Sequence, residues 1–294
     1  MRILIPWEGA PNPDLLVKDL HYAGLPKHAH ALLLTPHAHH VAIPSRAFVA
    51  SNHEYTLEDS LDEQVLSEAQ RSKCTLSRAF PDWLIETEVN DRSSMNAAES
   101  ISDRAHAWNA DLIVIGSERR RSFFLTAKSE SISAHIADVA PCSVRIVYPQ
   151  HQHPDAPLQL LLFIDGSPES LLMMEEFAAR PFPRNTCVHL ISVVNELEWN
   201  IERVHHMLDY FAEHIRKNFP HIESQIRYGD IAEQILRYAR QQEIDAIFIA
   251  ADDSLENSHQ HAVNVAALDI VQRAETTVEI VRRRQADYHE RRTR

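Results

Sequence analysis

Glycine is scarce in this sequence, with five glycines among 294 residues. Loops that hold phosphate through backbone N–H groups need glycines, because side chains keep the backbone away from the ligand. Cysteine is scarce as well: Cys74, Cys142 and Cys187 are isolated and show no CxxC spacing. Isolated cysteines disfavour a disulfide framework and favour a reducing, cytoplasmic location. The composition therefore disfavours both a glycine-rich phosphate loop and a secreted, disulfide-bonded fold.

Long apolar runs and excess positive charge are also missing. No run of about 18 apolar residues is present, and Met1 and Arg2 lead directly into a strand-like segment, so we expect no membrane span and no signal peptide. The formal net charge of −13 disfavours nonspecific nucleic-acid binding. We therefore expect no membrane and no nucleic-acid partner. A basic tail at 285–294 is the exception, and it is either a solvated end or a contact for an anion or a partner.

The sequence contains one pattern twice. Ile3–Pro11 and Leu160–Pro168 share an apolar run, an acid, a glycine, a small residue and a proline at an offset of 157. Two later pairs of segments match at an offset of 134: 111–116 with 245–250, and 140–147 with 274–281. A period this long indicates a domain duplication rather than a solenoid.

Each half alternates strands with helices. The strands are unbroken apolar runs, which are typical of parallel sheets covered on both faces. From Ile201 to Phe219, apolar residues recur every three or four positions, as on one face of a helix. We predict an α/β fold of two doubly wound, five-stranded parallel-sheet domains related by a pseudo-twofold axis. The predicted segments are domain 1 at 1–149, a linker at 150–158, domain 2 at 159–284 and the tail at 285–294.

The offset between matching segments falls from 157 at the start of each half to 134 later on. The first half therefore carries an inserted segment, mostly at 36–60. It leaves the second strand at the carboxyl edge of the sheet, where ligands bind in such folds, so we interpret it as a lid or a partner surface. Histidines at i and i+2 occur at His28 and His30 and again at His37 and His39. Such pairs can share a metal on an extended chain, but no cysteine or carboxylate stands at ligand spacing. We expect no metal site.

Three segments in order resemble the universal stress protein family in its tandem two-domain form. They are Ile164–Ser170 at the first strand end, Ala110–Ser117 at the fourth strand and its exit, and Val139–Val147 at the fifth strand. The resemblance implies an adenine nucleotide alpha hydrolase-like fold and a stress-response binding or regulatory protein. No catalytic motif such as Gly-x-Ser-x-Gly is visible, so we expect no enzyme and no cofactor.

ATP-binding members of that family carry Gly-x2-Gly-x9-Gly-Ser/Thr after the fourth strand. The resemblance places these glycines at Gly116, Arg119 and Glu130, and the Ser/Thr at Ser131. In the second half the glycine positions hold Ala250, Asp253 and Asn264. Carboxylates beside a polyphosphate are unfavourable in a partly desolvated site. We expect that neither half binds ATP in the usual way.

The alternative is a nucleotide- or small-anion-binding protein that uses one half, or a weak ATPase. Arg119 and Arg121 can hold an anion through their side chains at a helix start, or they form a solvated basic loop. Asp165 matches the acidic residue that contacts adenine in the family, and it also suits a turn before a helix. The candidate ligand residues are Gly116, Ser117, Arg119, Arg121, Ser131, Ser133, Asp165 and Gly166.

Family members commonly pair through their fifth strands, antiparallel about a twofold axis. Here these strands are Ser143–Val147 and Thr277–Val281, and their central residues are Arg145 and Glu279. The resemblance implies an intramolecular pseudo-dimer, with a homodimer of the whole chain left open. The two charges either approach each other across the strands or face solvent. For an exposed pair, Glu279→Arg costs about 1 kcal/mol or less, and Arg145→Glu in the same molecule is expected to restore the pairing.

Overall fold

The computed structural model describes residues 1–6, 13–36, 69–90, 97–117, 132–149, 156–194, 200–251 and 258–283. The first half contains β1 (Arg2–Pro6), α1 (Pro13–Tyr22), β2 (His30–Pro36), α2 (69–79), β3 (Leu84–Asn90), α3 (Ala97–Trp108), β4 (Leu112–Gly116), α4 (Ile132–Val139) and β5 (Ser143–Val147). The second half contains β6 (Gln159–Phe163), α5 (Pro168–Ala178), β7 (Cys187–Val194), α6 (Ile201–Ile215), β8 (His221–Tyr228), α7 (Ile231–Gln241), β9 (Ala246–Ala250), α8 (Ser258–Arg273) and β10 (Thr277–Val281).

The described strands form one ten-stranded sheet in the order β3-β2-β1-β4-β5-β10-β9-β6-β7-β8. Strands are parallel within each half, and β5 pairs with β10 in antiparallel orientation. The predicted α/β fold and the predicted pairing of the fifth strands are confirmed. The domain and linker boundaries stay predictions, and residues 37–68, 150–155 and 284–294 lie outside the described residues.

The amphipathic pattern that begins at Ile201 ends earlier than the sequence predicts. Helix α6 stops at Ile215, and its N-terminus is capped by Asn200, whose side chain accepts hydrogen bonds from the N–H groups of Glu202 and Arg203. Phe219 lies beyond the helix but is 2% exposed and packs in the same core. Pro220 follows it, and a residue before proline is disfavoured in helical conformation.

The two faces of the sheet are packed differently. On one face, a single apolar core runs from α3 and α4 of the first half to α7 and α8 of the second, with Ile136 and Ile270 among its members. On the other face, the first half and the second half have separate cores, the first under α1 and the second under α5 and α6. Arg145 and Glu279 lie on this second face, because their neighbours along β5 and β10 point into the continuous core.

A buried four-charge network separates those two cores. Arg145 and Glu279 are opposite in register, and Arg145 Nη1 lies 2.8 Å from Glu279 Oε2. Arg145 also binds Asp19 of α1 through Nε and Nη2, at 2.6 and 3.0 Å. Arg180, which follows α5, donates to both carboxylate oxygens of Glu279, and Thr277 donates to Asp19. Two positive and two negative side chains therefore compensate one another across the junction of the halves.

The predicted approach of Arg145 and Glu279 is confirmed, but the expectation that this pair is exposed is wrong. Their side chains are 2% and 0% exposed, because α1 and α5 cover this face of the sheet. Burial alone raises the pKa of Glu279, but Arg180 and Arg145 outweigh it and hold that pKa below its usual value. Glu279 is therefore ionised at neutral pH, and its charge is matched only while both arginines remain in place.

Charge reversal at Glu279 is expected to be severe. In Glu279→Arg, Arg145 and Arg180 face a third buried cation, and removing one partner of a buried ion pair costs about 3–5 kcal/mol. Arg145→Glu in the same molecule should not restore stability, because the new carboxylate faces Asp19. Urea unfolding measures both variants.

The matched control is Glu213→Arg, which changes an exposed residue paired with Arg216. It should cost about 1 kcal/mol or less. Recovery of wild-type stability in the reciprocal double variant would show that Asp19 and Arg180 do not contribute to the network.

A glycine brings the two halves into close contact beside this network. Gly24 follows α1 with a φ of +61°, and a Cβ placed there would lie 2.7 Å from the Phe182 ring of the second half. Arg180 Nη1 donates to the carbonyl oxygen of the adjacent Ala23 at 3.3 Å. Glycine at this position therefore satisfies two requirements, a left-handed backbone and an aromatic ring packed directly against it.

Gly24→Ala should lower the free energy of unfolding by about 2 kcal/mol or more, since it combines left-handed strain with a steric clash. Gly229→Ala is the control, because Gly229 also has a positive φ, +117°, but its Cβ would meet nothing closer than 3.5 Å. The control isolates the backbone effect. Equal losses in the two variants would show that the contact with Phe182 contributes nothing.

Candidate functional site

The candidate ligand residues divide between two places in the fold. Gly116 and Ser117 stand at the carboxyl end of β4, and Asp165 and Gly166 stand just after β6. Since β5 and β10 are antiparallel, the carboxyl ends of the two halves lie at opposite ends of the sheet. The residues therefore do not form one site, and each half must be considered separately.

In the second half, Asp165 organises the turn between β6 and α5. Its Oδ1 accepts hydrogen bonds from the backbone N–H of Ser167 at 3.0 Å and from the Ser167 hydroxyl at 2.6 Å. Ser167 in turn caps α5, because its Oγ accepts from the N–H of Ser170 at 3.1 Å. Asp165 is 8% exposed. These contacts are those of a turn and helix start, one of the two roles that the sequence suggests.

Side chains pack closely around the described residues of this turn. Gly166 has a φ of +79°, and a Cβ there would lie 2.7 Å from the sulfur of Met207 on α6. At the end of β9, Ala250 and Ala251 are buried, and the N–H of Ala251 donates to the carbonyl oxygen of Val281. Among the described residues at this strand end, the N–H of Ala251 is therefore already hydrogen-bonded and is not available to a phosphate.

In the first half, Gly116 is buried at the end of β4 and Ser117 is partly exposed. The N–H of Ser117 donates to the carbonyl oxygen of Val147 at 2.8 Å, which matches the contact of Ala251 in the second half. Ser133 lies in the first turn of α4 and is 4% exposed. Arg119, Arg121 and Ser131 lie outside the described residues, so their place in this site stays a prediction.

Metal chemistry has no support in the part of the chain that the structure describes. No three histidine, cysteine, aspartate or glutamate side chains there are grouped so that they could hold a metal ion. His28 and His30 belong to this part, whereas His37 and His39 do not. His30 instead lies 3.1 Å from Glu86 and packs edge-on against Trp108.

Comparison of the sequence with models of known protein families identifies the family. The family model described as Universal stress protein family matches residues 2–148, which is half of the chain. The chain belongs to the universal stress protein family. The resemblance seen in the sequence is therefore confirmed. None of the described helices is long and apolar enough to cross a membrane.

Solved structures extend the likeness to the whole chain. A universal stress protein from Archaeoglobus fulgidus DSM 4304 is 14% identical and covers 97% of each chain, with a TM-score of 0.64. A functionally unknown protein from Pseudomonas aeruginosa PAO1 is also 14% identical, covers 99% of this chain and 96% of its own, and gives a TM-score of 0.56. At this identity the likeness establishes the shared fold. No curated protein matches the chain.

This universal stress protein also contains a buried polar cluster that the sequence did not suggest. His189 on β7 is 4% exposed, and its Nε2 lies 2.9 Å from Gln159 Oε1. Since that oxygen only accepts, Nε2 carries the proton and Nδ1 accepts from the Tyr238 hydroxyl at 2.8 Å. Burial lowers the pKa of His189, and exposed Glu223, 3.6 Å away, only partly opposes this. The one signal in the sequence is a histidine inside the apolar run of β7.

His189 should make the protein less stable in mild acid. The folded state favours the neutral ring, whereas the unfolded chain takes up a proton with the ordinary pKa of about 6.5. The contribution is therefore fully present above that pH and is lost as the pH falls toward the lowered folded-state pKa. His189→Gln should remove this part of the pH dependence of unfolding.

The control for this prediction is His205→Gln on the exposed side of α6, which should leave the pH dependence unchanged. Urea unfolding between about pH 7.5 and 5.5 covers the range around the ordinary histidine pKa. Parallel stability curves for wild type and His189→Gln would mean that His189 is not held neutral.

Proposed function

We propose that the chain is a cytoplasmic stress-response binding or regulatory protein of the tandem universal stress protein type, and that it is not an enzyme. In this proposal neither half binds ATP in the usual way. One observation carries it: Asp165, the residue that matches the family's adenine contact, uses Oδ1 to hold the turn before α5. A carboxylate committed to two local hydrogen bonds and 8% exposed is poorly placed to select a base.

The chemistry of the strand exits supports the same proposal. Where ATP-binding relatives place glycines, the second half has Ala250 and the first half has Arg119 and Glu130. A methyl group prevents close approach of the backbone to phosphate, and a carboxylate repels it. In this proposal the protein acts by binding a protein partner or a small ligand other than Mg-ATP.

A second candidate function is binding of a nucleotide or another small anion in the first half. The observation in its favour is that β4 ends in Gly116 and Ser117, so one glycine is kept at the exit of this strand. Arg119 and Arg121, together with Ser131 and Ser133 at the start of α4, would then supply side-chain donors. Steady phosphate release that disappears when Asp165 is mutated would instead support a weak ATPase.

Calorimetric titration of the intact chain with Mg-ATP tests the first proposal. We expect no saturating signal in the micromolar range, and acid extraction of the purified protein should release no nucleotide that absorbs ultraviolet light. A one-site isotherm would contradict the proposal.

If Mg-ATP gives a one-site isotherm, two variants locate the binding site. Loss of the signal in Arg119→Ala with Arg121→Ala would support binding in the first half, and loss in Asp165→Asn would place the nucleotide in the second. Lys217→Ala with Arg184→Ala, which removes two exposed charges that precede β8 and β7, is the control for nonspecific attraction of the anion.

A further inference from the structure

The ten-stranded sheet has two outer edges, β3 at one end and β8 at the other, and no described strand pairs with the outer side of either. Strand β8 runs for 8 residues, His221–Tyr228, in unbroken register with β7. The outer side of an edge strand presents a row of backbone N–H and C=O groups that can pair with another strand. The two edges differ in charge, and this difference determines which of them can pair with a second copy of the chain.

One hydrogen bond shows which backbone groups of β8 face outward. The N–H of Gly229, the residue after β8, donates to the carbonyl oxygen of Val194 on β7. Because backbone groups alternate in direction along a strand, those of the odd-numbered residues of β8 face β7, and those of Ile222, Ser224 and Ile226 face the open edge. In an antiparallel pair of β8 strands, even-numbered residues therefore form the hydrogen-bonded pairs and odd-numbered residues form the non-hydrogen-bonded pairs.

One face of β8 carries two opposite charges four residues apart. Glu223 is 64% exposed and lies 3.6 Å from His189, whose lowered pKa keeps the ring neutral at pH 7. The guanidinium of Arg227 lies 4.9 Å from the centre of the Tyr238 ring, and its Nε has no hydrogen-bond partner in the described part of the chain. Within that part, neither charge is matched by an opposite charge.

One register between two β8 strands brings these charges together. The alternation of the backbone allows a twofold axis to pass through a residue of β8 but not between two residues. With the axis at Gln225, Glu223 of each copy lies opposite Arg227 of the other, in the non-hydrogen-bonded pairs where side chains approach most closely. An axis at Ser224 or Ile226 separates the two charges.

The opposite face of β8 fits the same register. Ile222 packs against the core under α5 and α6, and it would lie opposite Tyr228 of the second copy. Tyr228 is 45% exposed, so this contact would cover an apolar ring. An aromatic side chain opposite a β-branched one is a favourable cross-strand pair.

The β3 edge is unsuited to pairing with a copy of itself. Its even-numbered residues direct their backbone groups to β2, because the N–H of Leu84 donates to the carbonyl oxygen of Ala29. An axis at Glu86, Thr87 or Glu88, near the centre of β3, places two glutamates opposite each other. Like charges directly opposite are unfavourable, so this edge resists self-pairing.

We propose that the chain forms a homodimer through its β8 edges, antiparallel about a twofold axis at Gln225 and held by two reciprocal pairs of Glu223 with Arg227. The sheet of one copy then continues into the sheet of the other. A twofold contact of this kind is closed, so it ends at two copies. The interface is one strand wide, and such a small interface gives a weak dimer, in the micromolar range.

Analytical ultracentrifugation of the full chain over a range of concentrations tests the proposal. Physiological salt screens the repulsion between two acidic chains, and we expect an equilibrium of monomer and dimer. Glu223→Arg places arginine opposite Arg227, and Arg227→Glu places glutamate opposite Glu223. Because both symmetric pairs are lost, each variant should weaken the dimer by about tenfold or more. A mixture of the two variants has opposite charges at both positions, so dimers should form again.

The mixture also controls for misfolding, because a variant that fails to fold cannot be rescued by a second chain. A wild-type chain that stays monomeric up to millimolar concentration would overturn the proposal. Variants that dimerise like the wild type, or a mixture that stays monomeric, would equally exclude the paired charges. Assemblies larger than a dimer would indicate pairing of β8 with β3 and would exclude the closed twofold contact.

A pair of proline variants tests the edge without changing its charge. Ser224→Pro removes a backbone N–H that faces outward from β8, so it should abolish the dimer and leave the pairing with β7 intact. Thr87→Pro makes the same change on the outer side of β3 and is the matched control, because both residues are exposed. Equal dimerisation of the two variants would show that β8 is not the interface.

Disulfide trapping identifies the register. In a chain in which the exposed Cys74 is changed to Ser, Gln225→Cys places one thiol from each copy across the axis. The Cα separation of about 4.5 Å in such a pair is within the range that a disulfide spans, so the two copies should crosslink on mild oxidation. Ser224→Cys would lie opposite Ile226 and should not crosslink. Crosslinking at 224 rather than at 225 would overturn this register.

Discussion

Arg145 and Glu279 face each other at the centre of an antiparallel strand pair that joins two otherwise parallel sheets. Their burial makes the choice of partner strict. If β5 paired with β5 of another chain, Arg145 would meet a second buried arginine, and β10 with β10 would bring two glutamates together. An apolar pair could be as stable, but it would allow these self-pairings. The charges thus select the pairing of one half with the other within the same chain.

The antiparallel pairing of β5 with β10 determines how the strand ends and the helices of the two halves are arranged. Antiparallel strands at the junction send the carboxyl ends of the two halves to opposite ends of the sheet, which separates the candidate ligand residues of the first half from those of the second. The same arrangement brings the exit of β10 beside the start of β5, where Ser143 holds Arg282. It also places α1 and α5 on one face, where Asp19 and Arg180 complete the charge network.

Local patterns in the sequence predicted the strands and the repeat, because apolar runs and repeated offsets are visible in both halves. The pairing of the strands that carry Arg145 and Glu279 was instead implied by the resemblance to the family. Local patterns did not predict the burial of this pair. Asp19 is 126 residues from Arg145, and Arg180 is 99 residues from Glu279. Contacts over such separations leave no periodic signal. For the candidate site, the turn role of Asp165 was foreseeable from Asp-Gly-Ser-Pro, whereas the approach of Met207 to Gly166 required the packing of α6.

The two halves no longer use equivalent positions in the same way. At the offset of 157, Asp19 corresponds to Glu176 and Ala23 to Arg180. Asp19 is buried against Arg145, whereas Glu176 is exposed. In a symmetric dimer of single domains, every substitution appears on both sides of the axis, so a buried arginine must be compensated twice. Joining the halves in one chain removes this constraint. One copy of a position can then lie in the buried junction while the other lies at the surface.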